Sequence, residues 1–556
     1  MKKKSILIVI VLGSIILFHI IVNLIWLKME IAPPMWDQVA SALHSLEFYK
    51  SLKKLDIRGF LKIFLDYRRE RAPLTFIIVP AFYGLIGFSV DSATISNFLY
   101  LIILVLAIYG IGRKLYGTGV GLLSAFVVST IPIIAGLSRE FLPDYALAAF
   151  VALSIYVLLE TEYFQKRLPS AVLGISCGLG MLAKIPFPLF VAAPLLYTVV
   201  LSFIIKKERQ ARRTLLINMN IFVEVTLLIS GLWYIYNFKH WLSYLYTASY
   251  GENIQKYWPG NYCNLKDFLH YSYIFFQDEL SAFYFLSGIV LLLPLLAYKT
   301  MWKFKNKIKN SALFLLKSPE IVLLLWAAMP YIVIACLRNR DQRMNVACIA
   351  PLGILLSSWV FAVPARWLKR CLVVFIVFVG SIQLIKASFG MEYPRRVPVK
   401  IKSIHWFLFP DRYAYCQAPE THTWQMEEII HYIDQIESRA GRKELGRYAN
   451  IGFIPDIPRF QTAALIYYLI ALNVPYEAVK VAEYPDGQFR TDYCKYIITK
   501  TGDVTIYTPW AVKYNKETMQ ILQDSGNFVK LDKQFPLPDG SFAIIYKRVK
   551  GRILCP

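Results

Sequence analysis

Five short stretches bring ionisable residues to the ends of apolar runs. Pro33-Pro34-Met35-Trp36-Asp37-Gln38 puts an acid one turn beyond the first run, and Glu70-Arg71-Ala72-Pro73-Leu74 leads into a later one. Ser138-Arg139-Glu140-Phe141-Leu142-Pro143-Asp144 carries a second acid at a junction between two runs. Leu182-Ala183-Lys184-Ile185-Pro186 places a lysine at another junction, and Arg338, Arg340 and Arg343 flank Asp341 at a third. A carboxylate can take a proton from an attacking hydroxyl. Lysine and arginine steady a phosphate or a developing oxyanion. Taken singly, each charge also reads as a snorkelling or helix-end residue, and Asp37 beside Trp36 as an interfacial acid next to an aromatic belt. Placed together, they mark a functional cavity.

The elements that must position them are membrane helices. The chain has 556 residues, of which 56% are hydrophobic, 15% aromatic and 18% charged. These proportions exclude disordered, collagenous, coiled-coil and disulfide-scaffold classes. They fit a polytopic membrane protein with some water-exposed mass. The formal net charge is +24, but residues 391–556 hold 22 Lys/Arg against 18 Asp/Glu. The excess basicity therefore belongs to the membrane part and reports topology. A nucleic-acid partner would need a continuous basic face, and none is expected.

After Met1-Lys2-Lys3-Lys4 comes an apolar stretch too long for a signal-peptide core and without a cleavage site, so it reads as a retained first span. Further runs of spanning length lie near 92–112, 119–137, 143–160, 168–183, 186–205, 214–237, 280–298, 319–337, 344–363 and 371–388, which predicts eleven transmembrane helices. The run 72–88 is ambiguous, with Pro73 at its start and Pro80 in its middle. If it does not span, all the basic loops share the cytoplasmic side with the N-terminus, as the positive-inside rule prefers. It is therefore expected to be interfacial or re-entrant on the outer face. The same side then receives the 27–91 loop, whose apolar and basic residues suit surface helices. It also receives the aromatic-rich loop 238–279 and everything after about 389.

The expected organisation is a transmembrane domain over 1–388 and an extracytoplasmic α/β domain over 389–556. In the latter, 424–437, 459–472 and 516–523 read as helices, and 448–454, 478–483, 496–499, 528–531 and 542–547 as strands. One disulfide among Cys263, Cys416, Cys494 and Cys555 is compatible with their positions; no pair has zinc or redox spacing. The spacing of Gly174 and Gly178 reads as helix packing. Glu224 reads as a charge paired within the bundle. Glu70 with His240 or His270 is a weak candidate for a divalent ion. No nucleotide-binding loop is present in the sequence.

In order and topology, these motifs resemble the GT-C superfamily of integral-membrane glycosyltransferases, in particular the bacterial branch of aminoarabinose transferases and relatives of protein O-mannosyltransferases. Trp36-Asp37-Gln38 matches the acid motif after the first helix, and Arg71-Ala72-Pro73-Leu74 a Lys/His-Pro-Pro-Leu motif. Arg139 and Asp144 match an Arg…Asp motif, and Gly174, Gly178, Gly180 and Lys184 a glycine-rich helix ending in lysine. Trp233-Tyr234 with Asn237, and the stretch from Arg338 to Pro351, complete the series. Gln38 and Ala72 depart from the pattern; the first weakens the case for a metal beside Asp37.

The resemblance implies an inverting transferase that moves a hexosyl or pentosyl group from a polyprenyl-phosphate carrier to a hydroxyl of a lipid, glycan or protein acceptor, in the modification of lipid A or a cell-envelope glycan. It implies Asp37 and Asp144 as catalytic residues and Arg71, Lys184, Arg338, Arg340 and Arg343 as partners of the donor phosphate. Glu70, Arg139 and Trp36 are implied in support. No cofactor is required, although a divalent metal would be compatible. The expected partners are the lipid-linked donor, membrane lipids and the acceptor, and the expected location is the bacterial inner membrane. The competing class is a lipid-linked sugar flippase or transporter, which would use the same cations without transfer chemistry.

Overall fold

The computed structural model describes residues 2–251, 263–306, 318–391, 398–401, 404–410, 413–439, 449–481, 490–504 and 509–550. Tyr257, Trp258, Tyr262, Cys555 and the ends of two expected strands, Tyr448 and Glu483, lie outside these ranges. The protein is mostly helical and divides into two compact units. The first comprises residues 1–27, 47–85 and 91–419; the second comprises 28–46, 86–90 and 420–556.

The N-terminal helices are α1 (Lys2–Met29), α2 (Trp36–Lys53), α3 (Ile57–Asp66), α4 (Leu74–Ile86), α5 (Val90–Ile95), α6 (Asn97–Tyr116), α7 (Thr118–Thr130) and α8 (Pro132–Leu137). They continue as α9 (Pro143–Glu160), α10 (Arg167–Ala183), α11 (Phe187–Ile205), α12 (Arg209–Tyr236) and α13 (Phe238–Tyr250). Further helices cover Leu265–Ile274, Ala282–Asn306, Pro319–Cys336, Val346–Ala362 and Arg366–Phe389. Every expected apolar run is helical. Among the described residues seven helices are long and apolar enough to cross a membrane, or eight counting one bent pair. The difference from eleven lies in α7, α10 and the helix ending at Cys336, which are apolar but shorter. The helix in the ambiguous run, α4, has 13 residues with Pro80 inside. That is ~20 Å of helix against a hydrocarbon core of ~30 Å, so α4 cannot cross alone.

The bent pair turns by 100° between Leu265–Glu279 and Ala282–Pro294. Its break contains one wide helical turn, Phe275–Glu279, and Ser281 with φ +85°. A non-glycine residue in that region is held there by its surroundings, and Ser281 is fully buried. Helices α7, α6, α9, α10 and α12 pack in that order around one apolar core. At Gly174 an added Cβ would lie 2.7 Å from the Phe222 carbonyl oxygen, so the glycine lets α10 and α12 approach closely. Glu224 is exposed on α12 rather than enclosed in the bundle, which corrects the expectation of an internal pair.

The second unit holds a six-stranded mixed sheet: β6 (Tyr476–Lys480), β3 (Ala449–Phe453), β7 (Tyr496–Lys500), β10 (Phe542–Arg548) and β8 (Phe528–Lys530) in that order, with β9 (Phe535–Pro536) on β10. β3 runs parallel to β6 and β7; β10 is antiparallel to its neighbours. Alternating residues feed two cores. Tyr496, Ile498, Ala543 and Ile545 join the core with helices Met426–Arg439 and Thr462–Ala471. Ile497, Ile544 and Tyr546 join a core with Leu522 of the helix Pro509–Asp524. This is the period-two consequence of burying a sheet on both faces. Two short hairpins form sheets of their own, β4–β5 (Asp456–Ile457, Phe460–Gln461) in this unit and β1–β2 (Pro398–Ile401, Ile404–Phe407) in the first. Cys263, Cys416 and Cys494 are free thiols, and the latter two are buried.

Candidate active site

In the first unit the charged motifs lie at helix ends. Asp144 lies in the first turn of α9, behind Pro143 at its opening position. Proline has no N–H to lose there, and an acid there faces the positive end of the helix dipole. Lys184 follows the end of α10 in an extended conformation. Its Nζ donates to Asp144 Oδ1 at 2.5 Å. The Asp144 side chain is 2% exposed and that of Lys184 25%. The lysine thus neutralises a buried acid while keeping part of its ammonium accessible.

Buried amides and a buried arginine fix the approach to Asp144. Asn97 of α6 donates to the carbonyls of Ser138 and Glu140, and Asn23 of α1 donates to the Ser138 hydroxyl at 2.8 Å. Arg139 is itself 3% exposed. It donates to Asn23 Oδ1 at 2.9 Å and to the Ser388 hydroxyl, and lies over the Trp26 ring. It therefore ties the 138–142 loop to α1 and to the helix Arg366–Phe389.

The arginine-rich stretch is ordered by its own acid. Asp341 caps the short turn Gln342–Asn345, accepting from the Arg343 amide at 3.1 Å, while Arg343 Nε lies 3.2 Å from its other oxygen. Arg340 donates to the Leu337 carbonyl and pairs with Asp267 at 3.4 Å. Below them Asn345 donates to the fully buried Glu279 at 2.9 Å and to Tyr271 at 2.6 Å. This fixes the stretch to the broken span.

One residue of this cluster had no signal in the sequence. Tyr415 donates its hydroxyl to Asp341 at 2.9 Å. It sits in a tight turn closed by Tyr413 and Cys416, with φ +56°. The turn lies against α8, where a Cβ on Gly136 would be 2.3 Å from the Tyr415 carbonyl oxygen. Burial raises the Tyr415 pKa well above the ordinary phenol value; the Asp341 carboxylate and, more weakly, that of Asp144 raise it further. The phenol thus stays a hydrogen-bond donor between two acids. A tyrosine 72 residues beyond Arg343 can be found only once the chain is folded.

Arg71 and Glu70 are half-buried at the turn before α4. Ala72 packs with Leu182, Ile185 and Trp233, which brings this motif to the segment carrying Lys184. Arg338 is half-buried. His240 meets the Arg69 guanidinium at 3.0 Å, a poor setting for a cation. Among the described residues no group of three His, Cys, Asp or Glu is placed to hold a metal.

Asp37 belongs to the second unit, in the first turn of α2. Gln38 is 7% exposed, and its Oε1 accepts from the Met35 amide at 3.3 Å, as the returning residue of a capping box does. The departure from the family's glutamate is therefore a structural cap here. Trp36 donates its indole N–H to Asp456 at 2.8 Å.

Residues 70–229 match the dolichyl-phosphate-mannose-protein mannosyltransferase family. No curated protein matches the chain by sequence. Among solved structures the chain is similar to ArnT from Cupriavidus metallidurans bound to undecaprenyl phosphate, with TM-score 0.53 at 13% identity over 96% of this chain and 97% of that one. The apo state of the same protein gives 0.51 at 12% identity, with the same coverage. The Archaeoglobus fulgidus oligosaccharyltransferase tethered with an acceptor peptide gives 0.50 at 9% identity, over 97% of this chain and 74% of that one. The sequence match and the shared fold together support a membrane glycosyltransferase of the GT-C superfamily.

Proposed function

We propose that the protein transfers a sugar, with inversion, from a polyprenyl-phosphate carrier to a hydroxyl acceptor on the outer face of the plasma membrane, its N-terminus cytoplasmic and residues 389–556 outside. In this reading the acceptor oxygen attacks the anomeric carbon and its proton passes to the Asp37 carboxylate. The bond between that carbon and the phosphate oxygen breaks, and polyprenyl phosphate leaves with the electron pair. The leaving group already carries charge and needs cations and donors rather than an acid. Lys184 and Arg343, each about a quarter exposed, supply them. Arg71, Arg338 and Arg340 add positive field, and the Tyr415 hydroxyl steadies Asp341, which in turn holds Arg343. Asp144 orients Lys184.

The observation that carries this reading is the pairing of Lys184 with Asp144 and of Arg343 and Tyr415 with Asp341, each at the end of an apolar helix, in a chain with this fold. The likeness to a structure that binds undecaprenyl phosphate supports the choice of donor. The test is incubation of the purified protein with a panel of polyprenyl-phosphate sugars and a membrane extract as acceptor source. The product's anomeric configuration is then read by NMR. Inversion supports the reading; retention overturns the single-displacement step. In sealed vesicles, movement of intact donor without transfer would replace it with a flippase.

A further inference from the structure

We propose that the hairpin β4–β5 is a positioning device for Asp37, so that the C-terminal domain takes part in catalysis by holding the backbone that carries the base. The inference rests on the assignment of Asp37 as base. Asp456, Arg459 and Gln461 of this hairpin bond, one after another, to the strip of chain that ends at Asp37. Arg459 donates to the Pro33 carbonyl at 3.1 Å and pairs with Glu30 at 3.3 Å and Glu420 at 3.2 Å. Gln461, fully buried, donates to the Pro34 carbonyl at 3.2 Å. Asp456 receives the Trp36 indole N–H and also meets Lys480 at 3.3 Å. The Ile31 amide donates to the Glu420 carbonyl at 3.1 Å, and Ala32 is packed into the same core as Trp424 and Phe460.

The prolines explain why outside help is needed. Pro33 and Pro34 have no N–H, so at these two positions the strip cannot anchor itself through main-chain donors. What it offers is carbonyl oxygens, and the hairpin supplies the matching donors. The tip Pro458-Arg459 is a two-residue turn, and Gln461 is pinned by the Ala463 amide bonding to its Oε1 at 2.7 Å. The grip is therefore stiff at both ends. A carboxylate in the first turn of α2 inherits whatever position this strip takes. A misplacement of about 1 Å at a reacting group costs roughly 100-fold in rate.

The test uses the full chain in nanodiscs. Arg459→Ala, Asp456→Asn and Trp36→Phe are compared with Asp37→Asn and with a control, Lys533→Ala, on the donor that the wild type consumes. Arg459→Ala should lower kcat by about 10- to 100-fold with KM within about twofold, and Arg459→Lys should recover part of it. The Trp36→Phe/Asp456→Asn double variant should be no slower than the worse single variant. Hydrogen exchange needs no donor: in Arg459→Ala the amides of residues 31–39 should exchange at least about tenfold faster, with those of residues 138–150 unchanged. Wild-type turnover by Asp37→Asn overturns the base assignment and the hairpin's role with it. Loss of turnover in Asp37→Asn beside unchanged kcat in both Arg459→Ala and Asp456→Asn overturns the hairpin's role alone, as does unchanged exchange.

Discussion

The two acids assigned to catalysis are held in opposite ways. Asp144 is fixed through its own carboxylate, by the Lys184 ammonium and the start of α9. Asp37 is fixed through the backbone before it, whose carbonyls are taken by Arg459 and Gln461. A carboxylate that already accepts from an ammonium has that oxygen engaged. It is a good means of aiming that ammonium. An acid positioned by its main chain moves with that backbone. The proposed division, Asp37 as base and Asp144 as the group that orients Lys184, follows these two modes of anchoring.

That division is tested most severely by Asp37→Asn, which should cut transfer by about 1,000-fold with the protein still folded, read by single-turnover donor consumption. Lys184→Met comes next. It leaves Asp144 buried without its partner and should cost about 3–5 kcal/mol, read as a lower melting temperature in detergent, together with loss of turnover. Adding Asp144→Asn to that variant should restore stability without restoring turnover. Such a split would separate the structural part of the pair from its work on the donor. Tyr415→Phe should lower kcat by about tenfold with little change in stability, since it deletes one donor to Asp341 and nothing from the turn.

The smallest effect is a pH dependence within the C-terminal domain. Burial raises the Glu437 carboxyl, but the Lys495 ammonium and the Tyr496 hydroxyl outweigh it, so its folded pKa lies below the ordinary 4.5. A depressed acid contributes stability that is fully present above its unfolded pKa and is lost as pH falls through the folded value. Glu437→Gln should therefore lower the melting temperature at neutral pH and flatten its decline below about pH 4.5, followed by circular dichroism.

The residues that the sequence made legible are those whose role is local. Apolar run length finds the long helices from α1 to Arg366–Phe389, but not which of them are long enough to cross a membrane. Period-two patterning finds β3, β7 and β10 to within a residue or two. Pro143 with Asp144 announces a helix start, and Lys184 with Pro186 a helix end. The pairing of Asp144 with Lys184 was not legible, because 40 residues separate them and their meeting depends on how α9 and α10 stack. Tyr415 was not legible because it is delivered by a strained turn against Gly136. The hairpin β4–β5 was hidden for the same reason. Its strands are two residues each, too short for any periodicity, and its partners lie more than 400 residues earlier. Gln38 looked like the loss of a site carboxylate and is the cap of α2.

The central claim is transfer from a lipid-phosphate donor, and mass spectrometry of the carrier tests it most directly. Purified wild type would be given polyprenyl-phosphate sugars and membrane extract, and free polyprenyl phosphate and glycosylated acceptor measured together. The account predicts that both appear in equal amounts for one donor of the panel. Consumption of no donor, together with movement of intact donor across sealed vesicles, would contradict it.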